Sequence, residues 1–283
     1  MEISIITDEV SQNFEYTLDF LAKLGVKNIE LRSIWGKNVA NLNKEELLKL
    51  SDLIEEKGLR VSALATPIFK CPLFDDSPIL IDTDKFFVKG DTYNEHMRML
   101  RFSFKLAKVL KTNRIRVFSF LKVNNIKGAW QEIVNRLQHA AFLASKYNLF
   151  LILENEHTCN ICDTNLILKF FRSINYTNMK LLWDPCNSLI FGNNPIEEYR
   201  KIKKYICYVH IKNVVLDDNN SYKYTKISDG IIDYKTLICK MIRDNYKGCI
   251  SLEPHIKTTE LKVKENIIKD SFTFLKKLMK DEG

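Results

Sequence analysis

A chain of 283 residues with 46% apolar content can bury a large core, and its length suits one α/β barrel. Its 43 basic against 35 acidic residues give a net charge of +8, but the surplus is mostly Lys spread along helix-like stretches such as "KIKK" and "LKKLMK". That is the pattern of a solvated face, so an anionic small molecule is expected as partner and nucleic acid is not. Seven cysteines, odd in number and irregular in spacing, exclude a disulfide framework, and no apolar run approaches the ~18 residues of a membrane span.

Along the chain, short β-branched runs alternate with longer segments of helical period. Strand-like "EISIIT" directly follows Met1, which gives the expectation of a cytoplasmic protein with no membrane partner. Strand Ile3–Thr7 is followed by a helix over Tyr16–Leu24 that stops at Gly25, and strand Asn28–Arg32 by a helix over Lys44–Lys57. The latter opens on Asn43 with acids in its first turn, places Leu47, Leu50 and Ile54 on one face, and ends at Gly58. Strand Arg60–Ala65 precedes the longest irregular stretch, "TPIFKCPLFDDSPILIDTDKF", which predicts an excursion over residues 66–90 covering one mouth of the fold. The remaining strands are Ile115–Phe120, Phe150–Glu154, Lys180–Asp184, Ile206–Lys212 and Cys249–Glu253. Helices Asn94–Leu110, Ala129–Tyr147, Asn165–Ile174, Ile196–Lys203, Tyr234–Asp244 and Lys262–Met279 alternate with them. Eight β/α units without a Pro/Gly-rich linker predict a single (β/α)8 TIM barrel over residues 1–283, with a doubly wound open sheet as the alternative.

In such a barrel the carboxyl ends of the strands share one face, so the last residue of each strand carries the chemistry. The run "FLILENEHT" delivers Glu154, "LLWDPCN" Asp184, "YVHIKN" His210 and "ISLEPH" Glu253. Each alone reads as a turn, a cap or a hydrogen-bonded core residue. Together, three carboxylates at one point would repel and take up protons unless a cation joined them. Three oxygen donors and one imidazole suit one divalent metal ion: Mn²⁺ first, with Mg²⁺, Co²⁺ or Zn²⁺ also compatible.

The set Glu154, Asp184 with Asn187 three residues on, His210 in "HIKN" and Glu253 in "LEPH" resembles the xylose-isomerase-like barrel superfamily of sugar isomerases and epimerases. "IELRSIWGKNVANLNKEELLKLSDLIEEKGLRVSAL" looks like the family's second and third units, and "GIIDYKTLICKMIRDNYKGCISLEPH" like its last. The resemblance implies that Glu154, Asp184, His210 and Glu253 bind the metal and that Glu154 and Glu253 also form an acid/base pair. Asn187 stands where many epimerases of the family have a substrate-binding His, and the family's frequent arginine after the metal His is absent, leaving Lys212.

These residues permit removal of a proton next to a carbonyl through an enediolate. Its return to the other face gives epimerisation, its return to the adjacent atom isomerisation, and loss of a β-hydroxyl dehydration. The leading expectation is a metal-dependent isomerase or epimerase of a sugar or sugar phosphate, with a keto-polyol (inosose-type) dehydratase as the alternative. Apurinic endonucleases share the barrel, but their trinuclear zinc site needs more histidines than this chain places well, since His96 and His139 fall in predicted helices. Lys212, His157 and His255 are candidate substrate contacts beside Asn187, whereas Trp35 reads as packing and Cys159–Cys162 as incidental. Homo-oligomerisation is left open by the sequence.

Overall fold

The computed structural model describes residues 1–74 and 92–281. Eight parallel strands close into a barrel: β1 (Glu2–Ile6), β2 (Asn28–Leu31), β3 (Arg60–Ile68), β4 (Arg114–Val117), β5 (Phe150–Glu154), β6 (Met179–Trp183), β7 (Ile206–Ile211) and β8 (Cys249–Leu252). Closure is made by β1, whose Ile5 lies opposite Leu252 of β8 on one side and Ile29 of β2 on the other. With both edges of the sheet paired, the open doubly wound arrangement is excluded.

The helices are α1 (Phe14–Lys23), α2 (Lys44–Glu56), α3 (Tyr93–Val109), α4 (Ile126–Ser145), α5 (Thr164–Ser173), α6 (Pro185–Ile190), α7 (Pro195–Ile202), α8 (Tyr234–Arg243) and α9 (Leu261–Asp281). Their starts follow local chemistry. Asn43 accepts from the Glu46 amide while the Glu46 side chain accepts from the Asn43 amide, and Thr92 and Glu95 repeat the same reciprocal cap. Each such cap contributes about 1 kcal/mol. At the other end of α2, Gly58 takes φ +64, a left-handed conformation that a residue with a Cβ would adopt under strain. Helix α5 buries Thr164, Ile167, Phe170 and Phe171, a one-sided stripe that packs on the barrel wall.

Three features depart from the sequence reading. Residues 66–68 continue β3 rather than opening the excursion, Phe69–Phe74 is irregular, and the rest of the expected excursion lies outside the described residues. A six-residue helix, α6, begins at once after β6. Two antiparallel hairpins, Ser33–Ile34 with Lys37–Asn38 and Asn213–Leu216 with Tyr222–Thr225, follow β2 and β7 on the carboxyl face. No helix among the described residues is long and apolar enough to cross a membrane.

The wall between strands and helices is apolar, but the lumen is not uniformly so. Tyr208 on β7 reaches Ser62 on β3 and Glu30 on β2, strands that do not adjoin β7, so these contacts pass through the barrel interior. Polar side chains thus floor the mouth into which the strand ends project.

Candidate metal centre

The four expected ligands converge. Glu154, Asp184, His210 and Glu253 are all buried, and one ligand atom of each lies within 4.8 Å of the others. Their positions follow from the strand ends: Glu154 closes β5, His210 is the penultimate residue of β7, and Asp184 and Glu253 sit one residue beyond β6 and β8.

Asp184 divides its oxygens between two tasks. Oδ1 caps α6, accepting from the amides of Cys186 at 2.8 Å and Asn187 at 3.1 Å, with Pro185 as the first helical residue. Oδ2 is left with no aligned hydrogen bond and stands 2.7 Å from the Lys212 ammonium. Asn155 locks this end of β6 to β5: its Oδ1 accepts from the Asp184 amide at 2.7 Å, and its Nδ2 donates to the Asp184 carbonyl at 3.1 Å.

His210 is wholly buried and its nitrogens are differentiated. Nε2 lies 3.0 and 3.1 Å from the two oxygens of Glu30, whereas Nδ1 makes no aligned hydrogen bond and faces Glu253 Oε2 at 3.1 Å and Glu154 Oε1 at 3.8 Å. Burial works against the imidazolium, but Glu30 and Glu253 outweigh it and raise the His210 pKa well above the usual histidine range.

The two glutamates occupy contrasting surroundings. Glu154 accepts from Arg116 Nη1 at 3.1 Å and from Asn187 Nδ2 at 3.2 Å, yet burial still raises its pKa. Burial also acts on Glu253, but there Lys212, His255 and His210 prevail and hold it well below the ordinary carboxylate value. Arg32 donates to Glu253 Oε1 at 2.7 Å, and His255 Nε2 lies 3.0 Å from the same oxygen. Opposed environments of this kind separate an acid from a base.

The residues fit a divalent cation. Asp184 Oδ2, Asn187 Oδ1 and His210 Nδ1 are buried polar atoms without an aligned hydrogen bond that face the ligand cluster, although the Lys212 ammonium stands 2.7 Å from Asp184 Oδ2. The buried cations pair with the ligand carboxylates: Arg32 with Glu253, Arg116 with Glu154, and Lys212 with Asp184 and Glu253. Hard oxygen donors with one imidazole suit Mg²⁺, Mn²⁺ or Zn²⁺.

Among the candidate substrate contacts, Asn187, Lys212 and His255 reach the cluster directly. Lys212 is 3% exposed, which rejects a solvent-facing strand exit. His157 does not join them: it stands beside Glu156, Nδ1 at 3.0 Å, with 39% of its side chain exposed. Glu156 is held well below its usual range despite burial, by Lys70 first and then His157. Trp35 packs edge-on against Phe14 and donates to Glu15, as a packing residue should. Cys159 and Cys162 are buried thiols, the latter pushed up by burial to about 11, which removes a thiolate role near neutral pH.

The sequence reading missed Arg32 and Arg116. Arg32 ties Glu253 to Asp8 and Glu9. Arg116, in the middle of β4, donates to the carbonyls of Ala65 and Thr66 as well as to Glu154. The available signal was a guanidinium inside a strand otherwise buried, where an unpaired charge would be costly.

A parallel barrel with three carboxylates and an imidazole at its carboxyl mouth has the layout of a metal-dependent barrel enzyme. The model for the xylose isomerase-like TIM barrel matches residues 18–278, and the chain belongs to that family. It is 23% identical over 252 residues to a 3-dehydroshikimate dehydratase of Bacillus anthracis, covering 82% of each chain. Over 138 residues it is 25% identical to an inosose dehydratase of Clostridium tetani, a match spanning 44% of this chain and 46% of that one. The crystal structure of a D-psicose 3-epimerase from Clostridium cellulolyticum superposes with a TM-score of 0.74 at 14% identity, covering 98% of this chain and 99% of the other. Proteins named as dehydratases are thus similar to this chain in sequence, and one named as an epimerase shares its fold.

Proposed function

We propose that this chain is a divalent-metal-dependent enzyme that removes the proton α to the carbonyl of a small polyhydroxylated ketone and then eliminates a β-hydroxyl as water. The carrying observation is the pair Glu154 and Glu253, brought from β5 and β8 to within 3.8 and 3.1 Å of His210 Nδ1 in opposed electrostatic surroundings. A bound ion, held by Glu154, Asp184, His210 and Glu253, would supply a positive charge that polarises the substrate oxygen.

The chain's own residues do the rest. Glu253, kept ionised by Lys212, His255 and Arg32, accepts the α-proton. Glu154, which protonates more readily, donates to the departing hydroxyl, so the C–H and C–O bonds break, a C=C bond forms and water leaves. Asn187 holds Glu154 Oε1, and Lys212 and His255 remain at the mouth to meet substrate oxygens. The match to a dehydratase over 82% of both chains supports elimination. Epimerisation is the second reading, favoured by two carboxylates able to take a proton on one face and return it on the other.

A panel of cyclic keto-polyols, including an inosose and 3-dehydroshikimate, together with free and phosphorylated ketoses, incubated with Mg²⁺ or Mn²⁺, tests the proposal. Water loss gives a product 18 mass units lighter, whereas epimerisation conserves mass. Turnover that persists after complete metal removal would reject both readings.

A further inference from the structure

The interior of a (β/α)8 barrel is ordinarily filled by branched apolar side chains. Here a carboxylate, Glu30, sits in it with no exposed surface, and its partners are His210 and Tyr208. A buried charge in place of an apolar residue of similar volume does not favour stability, so its retention asks for another account.

We propose that Glu30 is a positioning residue for the metal centre: it accepts the Nε2 proton of His210 and, pinned in turn by Tyr208, fixes Nδ1 as the nitrogen presented to Glu154, Asp184 and Glu253. The inference rests on the reading of His210 as a metal ligand.

Three observations carry it. Both oxygens of Glu30 lie within hydrogen-bond distance of Nε2, so the imidazole cannot spin about its Cβ–Cγ bond without breaking a charge-assisted contact. Nδ1, the other nitrogen, has no aligned hydrogen bond and points at the carboxylate cluster. The carboxylate is itself prevented from swinging toward the cluster by a chain of hydroxyls: Tyr208 donates to Glu30 Oε2 at 3.0 Å, Ser62 Oγ lies 2.7 Å from the Tyr208 oxygen, and Ser4 Oγ lies 2.7 Å from Ser62. These three bonds can be ordered in one direction, Ser4 to Ser62 to Tyr208 to Glu30, with the single Ser62 proton divided between the Tyr208 oxygen at 2.7 Å and the Ile29 carbonyl at 3.0 Å. The chain joins β1, β3, β7 and β2 across the lumen, making the ring plane of His210 a property of the whole barrel rather than of β7 alone. A carboxylate behind a metal-bound imidazole is worth ~10–100-fold in metal affinity where it has been removed from other sites.

The test has two readouts. Apo-protein is titrated with Mn²⁺, followed by the loss of the free-ion EPR signal, for the wild type and for Glu30→Gln, Tyr208→Phe and His210→Gln. In parallel, the imidazole ¹H–¹⁵N spectrum of the Mg²⁺- or Zn²⁺-loaded protein reports which ring nitrogen of His210 carries the proton. The expected results are a 10–100-fold weaker Mn²⁺ dissociation constant for E30Q, a smaller loss for Y208F, and in the loaded wild type a slowly exchanging Nε2 proton with a bare Nδ1. A folded E30Q with wild-type affinity, alongside a weakened H210Q, overturns the role of Glu30 and leaves the metal reading intact. Unchanged affinity in H210Q removes the metal reading and this inference with it. Should E30Q not fold, the wild-type spectrum decides, because a proton on Nδ1 or an Nε2 proton in fast exchange with water overturns the proposal.

Discussion

The ammonium of Lys212 stands 2.7 Å from Asp184 Oδ2, with Glu253 Oε2 at 3.5 Å on its other side. Burial alone would lower the Lys212 pKa, but these carboxylates raise it well above the usual lysine value, so the side chain is a fixed positive charge. It therefore opposes a second cation at the oxygens it touches. Lys212→Met should tighten Mn²⁺ binding by roughly tenfold, the effect of relieving about 1.4 kcal/mol of repulsion, while reducing turnover. Equal or weaker Mn²⁺ affinity in the folded variant, measured by calorimetric titration, would show that the ammonium does not compete with the metal.

Asp184→Asn separates the two tasks of that side chain. Asn caps helices as well as Asp, so α6 should survive and the midpoint of thermal unfolding should move by only a few degrees. The anionic Oδ2 is lost, and the Mn²⁺ dissociation constant should rise by at least ~10-fold. A large drop in the unfolding midpoint without a change in metal affinity would assign Asp184 to structure alone.

Replacing either glutamate by Gln keeps size and one oxygen but removes the proton-accepting carboxylate. Turnover at saturating metal should fall by roughly 10²–10⁴ in both Glu154→Gln and Glu253→Gln. The two should differ in deuterated water: E154Q still exchanges the substrate α-proton with solvent, and E253Q does not. Mass spectrometry of recovered substrate reads this directly, and exchange of equal rate in both variants would cancel the assignment of roles.

Metal binding should release a proton. Because the His210 pKa is raised in the folded protein, the imidazole carries a proton on Nδ1 below that value and must shed it to bind a metal. Affinity should therefore climb with rising pH, by about tenfold per unit where one proton competes, and level off above the raised pKa. Glu253, held well below its usual value, contributes no proton over the same window. Titrations in buffers of different ionisation enthalpy count the protons released, and a pH-independent affinity between about pH 6 and 8 would contradict the displacement.

Arg32→Met would leave the buried carboxylate of Glu253 and those of Asp8 and Glu9 without their shared guanidinium. Breaking such a buried pair costs about 3–5 kcal/mol, so the urea midpoint should fall by an amount that accounts for a large part of a domain's stability. A midpoint within error of wild type would mean that solvent or Lys212 compensates the acids.

The strand ends were legible because the eightfold alternation fixes which residues stand at the carboxyl mouth, and Glu154, Asp184, His210 and Glu253 needed nothing beyond that register. What could not be read was contact across the lumen. Glu30 and Tyr208 are 178 positions apart, and only the stagger of the closed barrel brings β2 and β7 face to face inside it. Arg116 was hidden for the same reason, since alternation gives the side of a strand but not the carbonyls it will meet on β3. Helix α6 has six residues, too few to show a helical period, and its only sequence signal was the Asp-Pro start. His157 stands apart from the cluster because the chain turns after β5, leaving its half-buried ring beside Glu156.

Asn155 behaves as a spare peptide group, exchanging two hydrogen bonds with the backbone of Asp184 and a third, from Nδ2 at 2.9 Å, with Ser188 Oγ of α6. The side chains on either side of this clamp, Glu154 and Asp184, are thereby yoked through main chain rather than through flexible methylenes. Two donors on a common rigid frame act as a bidentate chelator: when one lets go of an ion, the other holds it within reach for recapture. For an ion held at this site, exchange would therefore require concerted opening of the β5 and β6 ends, and a chelator added to metal-loaded protein would strip it on the timescale of that opening.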